Sequence, residues 1–218
     1  RPEGLLVHPG SSRRCAVLFW PCPGDFSEEV QEVASRDASV RSRANPSEAQ
    51  RCAELAEALA ALAGAKSVAV LSWYNAQVSE LRRRLQAQPN SAGVHCGSVV
   101  TAQGSEWDYV LLSTVRSTGA GAAEAGPAPA PLGCLADRHL LNVAVTRGRL
   151  GIVVLGSPAV LQSNRNWKDF LRHCAEEGGL LGPHQRPDVL AAGAHAGAAA
   201  GAGVTTGAGA SAGTRPFQ

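Results

Sequence analysis

The chain has 218 residues, 44% of them hydrophobic and 17% charged, with a formal net charge of +2. These figures fit one domain with its own core, followed by a tail, and exclude a histone-like basic protein. No run of eighteen apolar, uncharged residues lies outside the Ala/Gly-rich C-terminus, and Arg1-Pro2-Glu3-Gly4 lacks a signal-peptide pattern, so no membrane partner is expected.

The run Cys15 to Trp20 (CAVLFW), ended by Pro21, reads as a buried strand. Residues 24–44 are polar and mixed. Asn45-Pro46-Ser47-Glu48 is a helix start: Asn45 caps, Pro46 suits the first helical position, and Glu48 completes a capping box. Cys52, Leu55, Ala56, Leu59 and Leu62 follow at helical spacing, and Gly64 closes the helix. Ser67 to Leu71 is a second strand. Asn75 to Leu85 is a helix with Val78, Leu81 and Leu85 on one face and Arg82, Arg83 and Arg84 around the other, the arginines reading as a solvated face. Gly97 to Thr101 and Tyr109 to Val115 are the third and fourth strands.

Residues 118–134, rich in Gly, Ala and Pro, read as a flexible loop. Arg138 to Thr146 has helical spacing, Gly151 to Leu155 is a fifth strand, and Asn166 to Glu177 is an amphipathic helix with Trp167, Phe170, Leu171 and Cys174 inward. His139 reads as a capping or surface residue, and Arg116 and Glu80 as surface or structural ion pairs of little energetic weight. From about Leu190 the chain is almost all Ala, Gly, Ser and Thr, too small to offset ordering entropy, and is expected to be disordered.

Short apolar strands without strict alternation, separated by helices, imply an α/β domain: a doubly wound parallel sheet with helices on both faces. The expected limits are 1–14 for an N-terminal segment, 15–185 for the domain and 186–218 for a low-complexity tail. Such sheets bind ligands at the carboxyl ends of their strands. The six cysteines have neither disulfide-scaffold nor zinc spacing, so a reducing compartment and no metal site are expected; Cys15 and Cys52 read as buried small hydrophobes. Met is absent, which points to a fragment, a processed product or an incomplete gene.

Three segments carry chemistry: Ser72-Trp73-Tyr74-Asn75-Ala76-Gln77, Thr101 through Asp108 (TAQGSEWD), and Leu141 through Arg149 (LNVAVTRGR). The second offers an amide, a glycine that admits close backbone approach, and a carboxylate, a set able to grip ribose hydroxyls and phosphate oxygens. The third places Arg147 and Arg149 at the end of a short helix, where two guanidinium forks suit a polyphosphate. Each has a plainer reading: a strand-end turn for Gln103–Glu106, and charge at a helix C-terminus for the arginines. Trp73 and Trp107 either stack on bases or pack against neighbouring loops.

Together and in this order, SWYNAQ, VVTAQGSEWDYVLLSTVRS and LNVAVTRGR resemble motifs IV, V and VI of the Upf-like branch of superfamily 1 helicases. The resemblance spans about residues 15–180 and includes the N-P-S-E-A-Q helix start and the Trp167 helix. Within the branch, the QGSEW spelling is most similar to the nuclear helicases with zinc-finger domains that act as receptor coactivators. The resemblance implies a RecA-like fold and ATP as the nucleotide, with Gln103 and Gly104 at the ATP-facing cleft and Glu106 on the ribose. It also implies Arg147 as the arginine finger, Arg149 in support, and Ser72 and Thr101 on the phosphate backbone of single-stranded RNA or DNA. Three positions depart from the family pattern. Val100 stands for Asp, Ala102 for Phe, and Gly148 for Ala; the first two weaken the case for strand coupling more than for nucleotide contact.

The chain contains no G-x-x-x-x-G-K-[ST] loop, and Lys66 and Lys168 are its only lysines. The resemblance therefore implies the second RecA-like domain alone, inactive without a first domain that would supply the phosphate loop and hold Mg2+. Its partners would be that first domain of the same full-length chain, a nucleic-acid strand and nuclear regulatory proteins, in nucleus or cytoplasm. The competing expectation is a non-catalytic protein-interaction module derived from a helicase domain.

Overall fold

The computed structural model describes residues 6–9, 14–22, 26–34, 39–63, 67–117 and 132–189. In chain order its elements are β1 (Leu6–Val7), β2 (Val17–Pro21), β3 (Glu29–Ala34), β4 (Ser39–Ala44), α1 (Pro46–Ala63), β5 (Val68–Ser72), α2 (Asn75–Gln86), β6 (His95–Ser98) and β7 (Trp107–Ser113). A 3-10 turn (Gly133–Ala136) leads to α3 (Arg138–Val145), β8 (Gly148–Gly156), α4 (Pro158–Leu161), α5 (Arg165–Glu176) and β9 (Asp188–Val189). The loop expected over 118–134 lies largely, and the Ala/Gly tail wholly, outside the described residues.

Five strands form one parallel sheet in the order β2-β8-β7-β5-β6. Its inner strands are apolar on both faces. Val68, Val70, Tyr109, Leu111, Val153 and Leu155 enter one core with α1 and α2, while Ala69, Leu71, Val110, Leu112, Ile152 and Val154 enter a second with α3, α4 and α5. Near-continuous apolar strands are what a sheet covered on both faces requires. This is the doubly wound α/β architecture expected from the strand pattern. Leu6 is fully buried in the first core, and β1 pairs with β9, so residues beyond both expected limits, 15 and 185, join the fold.

Several boundaries differ from expectation. Residues 24–44 hold an antiparallel hairpin, β3–β4, which lies against α2; its polar strands pair with each other and show no apolar run. The third strand is His95–Ser98, four residues long, and Val99–Gly104 is a turn. Leu62 continues the helical spacing but is exposed, while Ala60 and Ala63 on either side of it meet the first core. All six cysteines are free thiols.

A buried polar network closes the carboxyl ends of β5 and β7. Asn45 Oδ1 accepts from Glu48 N (3.0 Å), as a cap should. The Glu48 carboxylate does not return to Asn45 N, as a capping box would have it. It accepts from Ser113 Oγ (2.7 Å) and Val115 N (2.9 Å) instead. Asn45 N donates to Gln77 Oε1 (2.7 Å), and Gln77 Nε2 donates to Ser113 Oγ (2.8 Å). Arg116, expected in a surface or structural ion pair, is nearly fully buried and donates to Glu28 (2.7 Å).

Burial lifts the Glu48 carboxyl from 4.5 to about 7, although its hydrogen bonds from Val115 N and Ser113 Oγ pull the other way. An acid whose pKa rises on folding stabilises the fold while protonated. Its contribution is complete below the unfolded value and is lost as pH climbs from about 4.5 toward about 7. Urea midpoints at pH 5 and pH 7.5 should therefore differ less in Glu48→Gln than in the native chain; an unchanged difference contradicts the assignment.

Candidate functional site

β6 and β7 flank β5 and run parallel to it. The connection between them, residues 99–106, therefore leaves the carboxyl end of β6, crosses one face of the sheet and enters β7 at its amino end. Val99 and Ala102 sink into the second core and anchor the crossover. Gln103, Gly104, Ser105 and Glu106 are left facing solvent. Gly104 has φ +83°, a conformation that L side chains adopt only with strain. The Gln103 and Glu106 side chains make no hydrogen bond among the described residues.

Arg147 joins this turn from the other side. Asp137 caps α3 by accepting from His139 N (2.7 Å) and Leu140 N (3.4 Å), and the helix ends at Val145. Arg147 then stands between α3 and β8. Its Nε donates to Val143 O (2.8 Å), Nη1 to Ser105 O (3.0 Å) and Nη2 to Thr146 Oγ1 (2.8 Å). Trp107 N donates to Arg147 O (3.0 Å), lacing the two segments a second time. A guanidinium has five N–H donors, so two remain free beside the Gln103–Glu106 turn.

The expected twin forks are not both free. Arg149 lies in β8 and is tied to Asp108 at the start of β7, with Nη2 at 2.7 Å and Nε at 3.0 Å from the carboxylate. The two guanidinium groups thus serve different partners, and Asp108 was not singled out from the sequence. An acid and a base at the entrances of adjacent strands were the available signal.

The remaining expected residues are spread apart. Thr101 is exposed just past β6, where its hydroxyl donates to Ser98 O (3.0 Å) and meets Ser98 Oγ (3.1 Å). Ser72 is fully buried; its hydroxyl donates to Ser113 O (3.0 Å) and accepts from Tyr74 N (3.3 Å). It braces the ends of β5 and β7 and does not reach a surface ligand. Trp73 packs edge-on against Trp167, and Tyr74 donates to Leu132 O (3.2 Å). Burial pushes the Tyr74 hydroxyl well above its usual range.

The free polar groups therefore gather before β7 and β8, at amino ends, and not at the carboxyl ends expected for a doubly wound sheet. The carboxyl ends of β5 and β7 are filled by Asn45, Glu48, Gln77, Ser72 and Ser113, and Ser42 of β4 accepts from Ala76 N (3.1 Å) across them. Chemically, the open group combines cationic N–H donors, an amide, a carboxylate and an exposed glycine backbone.

A family model described as AAA domain matches residues 7–159. The chain is 32% identical over 187 residues to the protein named 3'-5' exoribonuclease HELZ2 of Homo sapiens, covering 83% of this chain and 6% of that protein. It is 35% identical over 124 residues to Putative helicase MOV-10 of Gallus gallus, covering 54% and 13%. It is 39% identical over 88 residues to ATP-dependent helicase upf1 of Schizosaccharomyces pombe, covering 40% and 8%. The chain thus spans a small fraction of the length of the relatives it matches.

The Gly104 backbone sets a stability prediction. Open space surrounds the position of a Cβ there, so Gly104→Ala meets no clash and suffers only its φ, costing about 1–2 kcal/mol. A thermal melt with an unchanged midpoint would contradict the turn geometry.

Proposed function

The chain belongs to the Upf1-like superfamily 1 helicases, and from that premise we propose that it is the second RecA-like motor domain of an ATP-dependent RNA or DNA helicase. The observation that carries the reading is Arg147, held by three oxygens with two N–H groups unused beside the Gln103–Glu106 turn. Two free donors on a fixed guanidinium suit the γ-phosphate of ATP, where an arginine finger stabilises charge on the transferring phosphoryl group. The Glu106 carboxylate would accept from ribose hydroxyls, and Gln103 and Gly104 would face the phosphates. Arg149, neutralised by Asp108, holds the entrances of β7 and β8 in register and so positions Arg147.

Among the described residues no group of three or more His, Cys, Asp or Glu could hold a metal. The phosphate loop, the Mg2+ ligands and the catalytic base are assigned to a first domain of the full-length protein. Closure of the two domains around ATP would bring Arg147 to the γ-phosphate. Thr101, exposed at the end of β6, is the strand contact on this domain. No described helix is long and apolar enough to cross a membrane, and the reading places the protein in nucleus or cytoplasm.

Phosphate-release assays test this. The chain alone should show no strand-stimulated ATP hydrolysis. Joined to its first domain, it should hydrolyse ATP in a strand-dependent manner, and Arg147→Ala should lower kcat by about 10³-fold or more. Arg149→Ala should cost less. Hydrolysis by the chain alone that disappears in Arg147→Ala would overturn the assignment, and a silent two-domain protein would favour an interaction module.

A further inference from the structure

An aromatic pair between the edge strand β6 and the start of β7 is not used by the reading above. His95 and Trp107 are stacked, with ring centroids 4.7 Å apart and planes 24° apart. Trp107 is the fixed member: its backbone N–H is held by Arg147 O, and its ring rests against the second core. His95, on the edge strand, is exposed.

Hydroxyls stand beside the imidazole. A Cβ on Gly97 would lie 3.0 Å from His95 Nε2 and 3.3 Å from Thr101 Oγ1. Ring and hydroxyl therefore flank a glycine with no side chain to separate them. Thr101 is linked to Ser98 through both hydroxyls, so the pair forms a fixed polar ledge. Arg82 reaches the same strand edge, donating to Cys96 O (3.1 Å). Partial burial of the ring, with the Arg82 charge nearby, lowers the His95 imidazole below its usual pKa.

We propose that the open face of His95 is a stacking platform for one base of a single-stranded nucleic acid, with the adjoining backbone on the Thr101 and Ser98 hydroxyls and the Arg82 guanidinium. The inference rests on the strand-binding reading above and adds a residue that contacts the base. A stack of two rings extends readily to a third, and base–aromatic stacking tolerates any base. One cation and two hydroxyls suit a phosphodiester better than a triphosphate, so a strand is favoured over a free mononucleotide.

The test uses the 218-residue chain and a fluorescently labelled twelve-nucleotide oligoadenylate at low salt, read by anisotropy. His95→Ala should weaken binding about tenfold with an unchanged thermal midpoint. His95→Phe, which keeps a ring, should bind like the native chain. AMP should not compete at concentrations where unlabelled oligoadenylate does. Native affinity in His95→Ala, together with a loss in Thr101→Ala, overturns the stacking platform and leaves the strand contact standing. Competition by AMP comparable to that by oligoadenylate overturns the assignment to a strand. Failure of the native chain to bind oligoadenylate overturns both.

Discussion

The hydrogen bond from Arg147 to the carbonyl of Ser105 joins the two segments on which any phosphate chemistry here depends. One segment is the crossover from β6 to β7, and the other is the junction between α3 and β8. Without its hydrogen bonds the guanidinium would hang from a junction two residues past a helix end, free to sample many rotamers. With the link to Ser105 O, and with the further bonds to Val143 O and Thr146 Oγ1, the side chain is fixed before any ligand arrives. A cation ordered in advance loses less entropy on meeting a phosphate. The backbone bond from Trp107 to Arg147 holds the same two segments even if the side chain lets go.

The sheet decides where this group can be. Parallel order β2-β8-β7-β5-β6 forces the chain from the carboxyl end of β6 to the amino end of β7. The crossover must then travel the length of the sheet, delivering Thr101 at one end and Glu106 at the other. The carboxyl ends of β5 and β7 are closed by Glu48, Asn45, Gln77 and Ser113, which satisfy one another in the interior. A buried network of this kind rigidifies what it joins, because each member left unpaired would be costly. It also leaves the amino ends of β7 and β8 as the place where polar groups remain free.

The inner strands were legible because they are buried on both faces and so read as unbroken apolar runs. Helices α3 and α5 were legible through spacing, and α5 places Trp167, Leu171 and Cys174 inward as their positions imply. The β3–β4 hairpin was not, since its residues pair locally and show no apolar run. Motif order led to the Gln103–Glu106 turn and Arg147, but not to their end of the sheet, because a segment between two strands belongs to either end until the crossover is traced. The resemblance put the Ser72 hydroxyl on a nucleic-acid backbone; in the fold it is buried and engaged between Ser113 O and Tyr74 N. The Asp108 partner of Arg149 and the His95–Trp107 stack depend on strand register across the sheet, which local sequence does not encode.

The most direct measurement is a structure of the chain joined to the first domain proposed for it, with ADP, Mg2+ and aluminium fluoride bound. The account predicts the Arg147 guanidinium at hydrogen-bond distance, about 3 Å, from the fluoride group, still held by Ser105, with Glu106 on the ribose. A guanidinium turned away from the nucleotide, with another cation in its place, would contradict it.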